Sequence, residues 1–178
     1  MTIVTTILLV LASIIALLLL VAFFTKRECI VEKSVVINKP KQEVFDYMKL
    51  IRNQEYYSVW VMKDPNIKLT YTGIDGAVGF IAAWESNDKN VGVGAQEIVG
   101  ITNGESIKME LRFKKPFEAT NYATNTITAV GSGQTKVTTI FTGKSKFPMN
   151  IMNLFMDKLI GRDMQKNLEN MKANIEKN

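Results

Sequence analysis

The sequence contains no histidine and a single cysteine, Cys29, among its 178 residues. The absence of histidine excludes a Ser-His-Asp or Cys-His catalytic unit and any metal site built from imidazoles. One cysteine cannot form a disulfide within the chain or a cysteine-rich zinc or iron–sulfur site. We therefore expect neither a bound metal nor a cofactor, and no preassembled catalytic group.

Charge is also missing from the first part of the chain. Residues 1–25 contain no Asp, Glu, Lys or Arg, and Ile3–Phe24 consists mainly of aliphatic residues and phenylalanine. As a helix, this run would be roughly 33 Å long at about 1.5 Å per residue, enough to cross a hydrocarbon layer ~30 Å thick. The pattern predicts a transmembrane anchor at 1–25, which contacts the lipid bilayer through Ile3–Phe24. A juxtamembrane linker at 26–30 and a soluble domain at 31–178 would follow.

Two alternatives to an anchor remain open. A cleaved secretory signal is disfavoured because no basic residue precedes the run, no Ala-x-Ala-like site precedes Lys26, and the usual signal core has only ~7–15 residues. A buried core helix is disfavoured because such helices normally have one polar face. Lys26 and Arg27 directly follow the run. Because basic residues favour the cytoplasmic side, we expect a single-pass membrane protein with a cytoplasmic domain.

The soluble domain combines strand patterns with two short helical patterns. Cys29–Asn38 predicts a first strand, and Asn38-Lys39-Pro40 predicts the start of a helix with Asn38 as its N-cap. A second short helix is expected near Ile51–Val59. Six further strands are separated by turn signals and are predicted at Ile67–Thr72, Gly79–Ser86, Val91–Ile101, Ile107–Phe113, Phe117–Val130 and Thr135–Thr142.

A long amphipathic pattern closes the chain. From Pro148 to Ile175, apolar residues recur at three- and four-residue steps, which predicts one helix of about 25 residues. Its apolar face needs a partner, and only the sheet is large enough. A twisted sheet and a straight helix do not match along their full length, so we expect an apolar cavity between them. The predicted fold class is α+β, an antiparallel sheet wrapped around a long C-terminal helix.

Several local sequences resemble the START-like (SRPBCC, helix-grip) superfamily, in particular its polyketide cyclase/dehydrase-like branch. The resemblance covers about Val31–Glu176, and it implies the helix-grip fold. Members bind lipids, sterols, polyketides or other apolar ligands, and some catalyse cyclisation or hydrolysis. The matching segments are Val35–Pro40 with Glu43–Tyr47, Gly73–Phe80 with Trp84-Glu85, Thr135–Thr138 with Phe141–Gly143, and Pro148–Asn150.

Aromatic residues, methionines and one glutamine are the candidates for lining the cavity. Methionine side chains are flexible and suit a tolerant apolar pocket. Gln96, Tyr122 and Asn125 are the candidate polar groups within it. The ligand-binding residues that we expect are Tyr56, Trp60, Phe80, Trp84, Gln96, Met109, Phe141, Met152, Phe155 and Met156.

Three functions remain open at this point. The first is a membrane-tethered domain that binds a hydrophobic, lipid-like small molecule without catalysis. The second is a cyclase- or hydrolase-like enzyme, which requires Glu97 or Tyr122 to face the cavity with a perturbed pKa. The third is an interaction module with a collapsed pocket and an exposed apolar patch. Nucleic acid is not an expected partner, because the net charge of +5 is spread without a dense basic run. The sequence leaves the oligomeric state open.

Overall fold

The computed structural model of the protein describes residues 2–177, so the first residue of the expected anchor and the last of the expected domain lie outside the described residues. Helix α1, Ile3–Phe24, is followed by an α+β unit that begins at Glu28. Within the described part of the chain, α1 is the one helix long and apolar enough to cross a membrane. Of its residues, Ala22 alone is buried.

Seven antiparallel strands form one sheet in the order β1-β7-β6-β5-β4-β3-β2. Because β1 and β7 pair from Glu28–Lys144 to Ile37–Thr135, the first and last strands are neighbours. The sheet therefore follows the hairpin order of the sequence from β2 onwards, as the turn signals predicted. The strands are β1 Glu28–Ile37, β2 Lys68–Thr72, β3 Ile81–Glu85, β4 Val93–Thr102, β5 Ser106–Lys115, β6 Ala119–Gly131 and β7 Gln134–Lys144.

Short helices connect β1 to β2. They are α2 at Lys41–Lys49, a 3-10 helix at Ile51–Tyr56 and α3 at Val59–Lys63. The expected N-cap of α2 is wrong, because Pro40 occupies that position. Asn38 instead uses its backbone N–H to bind Glu176 Oε1 at 2.6 Å, and its side-chain oxygen accepts from Gln134 at 2.8 Å.

The C-terminal segment is not one continuous α-helix, which corrects the sequence prediction. It begins as a 3-10 helix at Met149–Phe155, passes through a π-helical turn at Asp157–Gly161, and becomes α4 at Arg162–Lys177. Its first part contacts the end of α1 as well as β1, and the Asn150 side chain donates to the backbone at the end of α1. The apolar residues of this C-terminal segment therefore pack against two different partners, α1 and the sheet.

The main core lies between α4 and the inner face of the sheet. Leu168, Met171 and Ile175 of α4 are buried against residues such as Ile107 and Val137. Burying side chains of this size stabilises the fold by about 1.5–3 kcal/mol each. A second, smaller cluster comprises Cys29, Val31, Phe141 and Met164, and it joins β1 and β7 to the start of α4.

Candidate functional site

A cavity of about 370 Å³ lies between the inner face of the sheet, α4 and the helical connection 51–63. Pockets that hold small molecules in proteins have volumes of roughly 300–1,000 Å³. The expected gap between helix and sheet is therefore present and large enough for a small ligand.

Strand register builds the floor of this cavity. Met109, Ala123 and Phe141 are direct neighbours across β5, β6 and β7, and all three line the cavity. On either side, Leu111 pairs with Asn121 and Asn125 pairs with Thr139. Because alternate residues of a strand share a face, the small side chain of Ala123 in the middle of the floor leaves the space above it open.

The polar groups on the cavity wall are mostly neutral and paired with one another. The side chains of Gln54 and Gln96 exchange two hydrogen bonds, with Nε2–Oε1 distances of 2.7 and 3.3 Å. The Thr139 hydroxyl donates to Asn125 Oδ1 at 2.6 Å. Amide and hydroxyl groups can orient a ligand by hydrogen bonding without requiring a charge on it.

Two tyrosines on the wall remain neutral at physiological pH. Burial is the main cause that raises the pKa of Tyr57 above its ordinary value. The pKa of Tyr71 is raised by burial and by its hydrogen bond to the exposed Glu55 carboxylate. The Arg52 guanidinium lies over the Tyr71 ring, 4.4 Å from its centroid. These groups present hydroxyls and an aromatic surface rather than a phenolate base.

The structure places six of the ten expected ligand-binding residues on the cavity wall. Four lie elsewhere. Phe80 is buried in the main core, stacked on Tyr71, and Tyr56 is 70% exposed. Met152 and Phe155 lie on the 3-10 helix next to α1, where both are exposed, and neither lines the cavity. The six on the wall are Trp60, Trp84, Gln96, Met109, Phe141 and Met156.

Of the candidate polar groups, Asn125 lies on the cavity wall and Tyr122 does not. The Tyr122 hydroxyl donates to Glu110. Arg112 Nη1 donates to Glu110 at 2.6 Å and to Glu97 at 2.8 Å. This ion pair network lies on the outer face of the sheet. There Arg112 holds the pKa of Glu110 below its usual value, and Glu110 raises the pKa of Tyr122. Neither Glu97 nor Tyr122 therefore faces the cavity, as the enzyme alternative requires.

Metal coordination has no support in the described part of the chain, where no group of three His, Cys, Asp or Glu side chains comes together. The cavity wall carries one carboxylate, Glu55, and that side chain is exposed at the rim. Apart from this carboxylate, the wall offers apolar contact and neutral hydrogen bonding.

A family model described as polyketide cyclase/dehydrase and lipid transport matches residues 28–176. The chain belongs to this family. The resemblance identified from the sequence is thereby confirmed, and the match covers the whole seven-stranded sheet and nearly all of α4. Comparison with curated protein sequences gives no match.

Solved structures share the helix-grip fold of this family member at low sequence identity. Norcoclaurine synthase from Thalictrum flavum, in complex with dopamine and hydroxybenzaldehyde, has a TM-score of 0.67 and 9% identity, over 88% of this chain and 90% of that chain. The aromatase/cyclase Zhui from a Streptomyces species has a TM-score of 0.63 and 8% identity, over 84% and 94%. Ara h 8.0201 has a TM-score of 0.58 and 12% identity, over 85% and 99%. The fold class is thus the expected one.

Sequence reasoning missed a row of asparagines that binds α4 to the connection 51–63. Asn167, Asn170 and Asn174 lie on one face of α4, at steps of three and four residues. Asn167 Oδ1 accepts from the Val59 backbone N–H at 2.7 Å, and Asn170 Nδ2 donates to the Tyr57 carbonyl at 3.0 Å. Asn174 donates to the carbonyl of the preceding residue, Tyr56. A stripe of asparagines at helical spacing was the available signal.

Proposed function

We propose that the protein is a membrane-anchored helix-grip domain that binds an apolar, lipid-like small molecule between the sheet and α4. The cavity of about 370 Å³ is the observation that carries this proposal. Its wall is dominated by apolar side chains, with a few paired amides and hydroxyls to orient a ligand. The family description includes lipid transport, which supports an apolar ligand.

Anchoring through α1 is the second part of the proposal. An uncharged helix of 22 residues that buries only Ala22 needs an apolar environment, and the bilayer supplies one. The buried Asn150 amide donates to the carbonyls of Ala22 and Thr25, at 2.6 and 2.8 Å. Cleavage of α1 as a signal would remove a partner of this buried amide, which is costly. These contacts therefore favour a retained anchor over a cleaved signal.

The division of the chain follows from this proposal. We assign 1–25 to the anchor and 31–178 to the ligand-binding domain. Residues 26–30 connect them, and β1 begins within this stretch, at Glu28. Lys26 and Arg27, directly after α1, favour a cytoplasmic domain. Protease added to intact cells should leave the domain uncut, and its digestion from outside would contradict that orientation.

Filling the cavity tests ligand binding. Ala123→Trp puts a large ring at the centre of the floor, whereas Ala129→Trp places it at an exposed position of the same strand. The full chain and both variants are purified identically, and co-purifying apolar molecules are identified by mass spectrometry. We expect a species that is retained by the wild type and Ala129→Trp and reduced at least about tenfold in Ala123→Trp, because a well-packed interior has no room for both.

The background of detergent and bulk lipid is common to all three samples, so only the difference is interpreted. Circular dichroism establishes that each variant is folded, and Ala123→Leu replaces the tryptophan variant if that one is not. Equal amounts of every apolar species in the three proteins would overturn ligand binding in this cavity.

A further inference from the structure

Large apolar side chains are exposed along one short segment, Phe147–Leu159. Soluble protein surfaces rarely expose apolar residues in a concentrated patch, and such a patch usually contacts a partner or a membrane. We call this segment the apolar ledge. Its six exposed apolar residues, each between 42% and 58% accessible, are Phe147, Met149, Met152, Leu154, Phe155 and Leu159.

Hydrogen bonds to backbone carbonyls hold the apolar ledge at the C-terminal end of α1. Asn150 binds the carbonyls of Ala22 and Thr25, and Asn153 Nδ2 donates to the Lys26 carbonyl at 3.0 Å. Just before the ledge, the Ser145 backbone N–H donates to the Arg27 carbonyl at 2.8 Å. The ledge therefore lies level with the last turn of α1, where Phe23 and Phe24 are 74% and 77% exposed.

A groove of about 700 Å³ runs between α1 and the ledge. Met156 lines both this groove and the inner cavity. The apolar residues that line the groove are Leu20, Val21, Phe24, Ile30, Leu154 and Met156.

Basic residues surround the apolar ledge. Lys144, Lys146 and Lys158 lie at its two ends, and Lys26 and Arg27 follow α1. Two acidic residues share this region and both have basic partners. Asp157 pairs with Lys33 at 2.7 Å, and Glu28 lies 3.9 Å from Lys144. An apolar surface with a basic border matches the boundary between acyl chains and anionic headgroups, where each basic residue contributes about 1 kcal/mol.

We propose that the apolar ledge lies in the interfacial layer of the membrane that α1 spans. The occupant of this surface is the phospholipid bilayer itself, with acyl chains in the groove and headgroups at the basic border. The inference rests on the proposed anchoring of α1, because the hydrogen bonds to Ala22, Thr25 and Lys26 set the depth of the ledge relative to the helix. It also brings the cavity wall at Met156 next to the bilayer.

Fluorescence quenching by lipids measures this depth in the full chain. In a Cys29→Ala background, an environment-sensitive NBD label is attached at Leu154→Cys or Phe155→Cys. The matched control is Val130→Cys, which is 49% exposed and lies in β6, beside the far end of β7. That end is roughly 33 Å from Lys144 along the strand, at about 3.3 Å per residue. A label at Leu11→Cys reports the middle of α1.

Each protein is reconstituted into vesicles of phosphatidylcholine and phosphatidylglycerol, with and without doxyl-labelled lipid. We expect quenching at positions 154 and 155 at least about twofold stronger than at 130, because interfacial segments bury their apolar face ≈ 5–10 Å into the layer. Replacing phosphatidylglycerol by phosphatidylcholine should weaken the quenching, since the basic border loses its partners.

The α1 label separates this inference from the proposed anchor. Quenching at position 11 with none at 154 and 155 overturns the docked ledge and leaves the anchor intact. No quenching at any position overturns both. Blue-shifted emission at 154 and 155 without quenching means that protein, such as a second copy of the chain, covers the ledge, and this outcome also overturns the proposal.

Discussion

Cys29 shows how burial determines the reactivity of a single residue. The thiol lies on β1 in the small core cluster and is 8% exposed. Burial raises its pKa above the ordinary value, although hydrogen bonds to the backbone oppose the shift. A raised pKa means less thiolate at neutral pH, and the thiolate is the reactive form. The environment therefore makes Cys29 a poor nucleophile in the folded protein.

Alkylation by iodoacetamide tests this environment. We expect Cys29 to react at least about tenfold more slowly in the folded protein than in denaturant, with a rate that still rises with pH above 9, since the thiolate fraction grows only near the pKa. Mass spectrometry of the timed reaction gives both rates. Equal rates in the folded and denatured chain would contradict a buried thiol.

Gly94 is a second position where one residue has a specific role. A Cβ built at Gly94 would lie 2.6 Å from the Arg112 carbonyl oxygen and 2.5 Å from the Trp84 ring, which lines the cavity. Gly100 is on the same strand, and its nearest contact would be Lys108 Cβ at 3.7 Å. Substitution of Gly100 by alanine is therefore a matched control for the same substitution at Gly94.

We expect Gly94→Ala to lower the free energy of unfolding by about 1–3 kcal/mol, because the overpacked backbone has to move. Gly100→Ala should change it much less. Chemical denaturation followed by tryptophan fluorescence measures both, and the environment of Trp84 should change in the first variant alone. Equal losses in the two variants would show that the close contact at Gly94 has no energetic effect.

Among the elements, the connection 51–63 covers the cavity and depends on α4 for its position. Asn167, Asn170 and Asn174 bind its backbone, and Trp60 and Val61 on this connection line the cavity. Ile51 and Tyr57 of this connection are buried in the main core, whereas α3 buries no residue and can open locally at lower cost. Under the proposed function, a ligand would exchange through this side of the cavity.

Hydrogen exchange tests the asparagine contacts. Asn167→Ala removes the acceptor of the Val59 amide, so we expect that amide to exchange at least about tenfold faster, as local opening becomes easier. Lys166→Ala, at an exposed neighbouring position on α4, is the control and should leave the rate unchanged. Unaltered exchange at Val59 in Asn167→Ala would mean that the connection is held by other contacts.

At the scale of the whole molecule, Asn150 joins the two parts of the chain. This residue is 1% exposed, and its side chain binds the backbone at the end of α1. The two carbonyls that it binds lie 125 and 128 residues earlier in the chain. Removing one partner of a buried hydrogen bond costs about 1–3 kcal/mol. The stability of the α+β unit is therefore coupled to the presence of α1.

A double-mutant cycle measures this coupling. We expect Asn150→Val to destabilise the full chain by about 1–3 kcal/mol but to have little effect, or to stabilise, in a chain that begins at Lys26, where the amide has lost Ala22 and Thr25. All four proteins are unfolded by denaturant in the same detergent. An equal effect of the substitution with and without α1 would contradict the coupling.

Local periodicity predicted most of the secondary structure. Alternation in Ile107–Phe113 predicted β5, the apolar run predicted α1, and the stripe through Leu168, Met171 and Ile175 predicted α4, because each pattern repeats with the period of its element. The strand boundaries differ by a few residues, as at β6, where Phe117 and Glu118 precede the strand. The family resemblance followed from the same short-range patterns.

Tertiary structure alone decided which apolar residues line the cavity. Met152, Phe155 and Met156 belong to one helical pattern, but Asn150 holds the 3-10 helix against the end of α1, and of the three only Met156 lines the cavity. Periodicity gives the face of a helix and not the element opposite it, since contacts such as Asn150 with Ala22 join residues far apart in the chain. The sequence therefore determined the elements, and long-range packing determined the site.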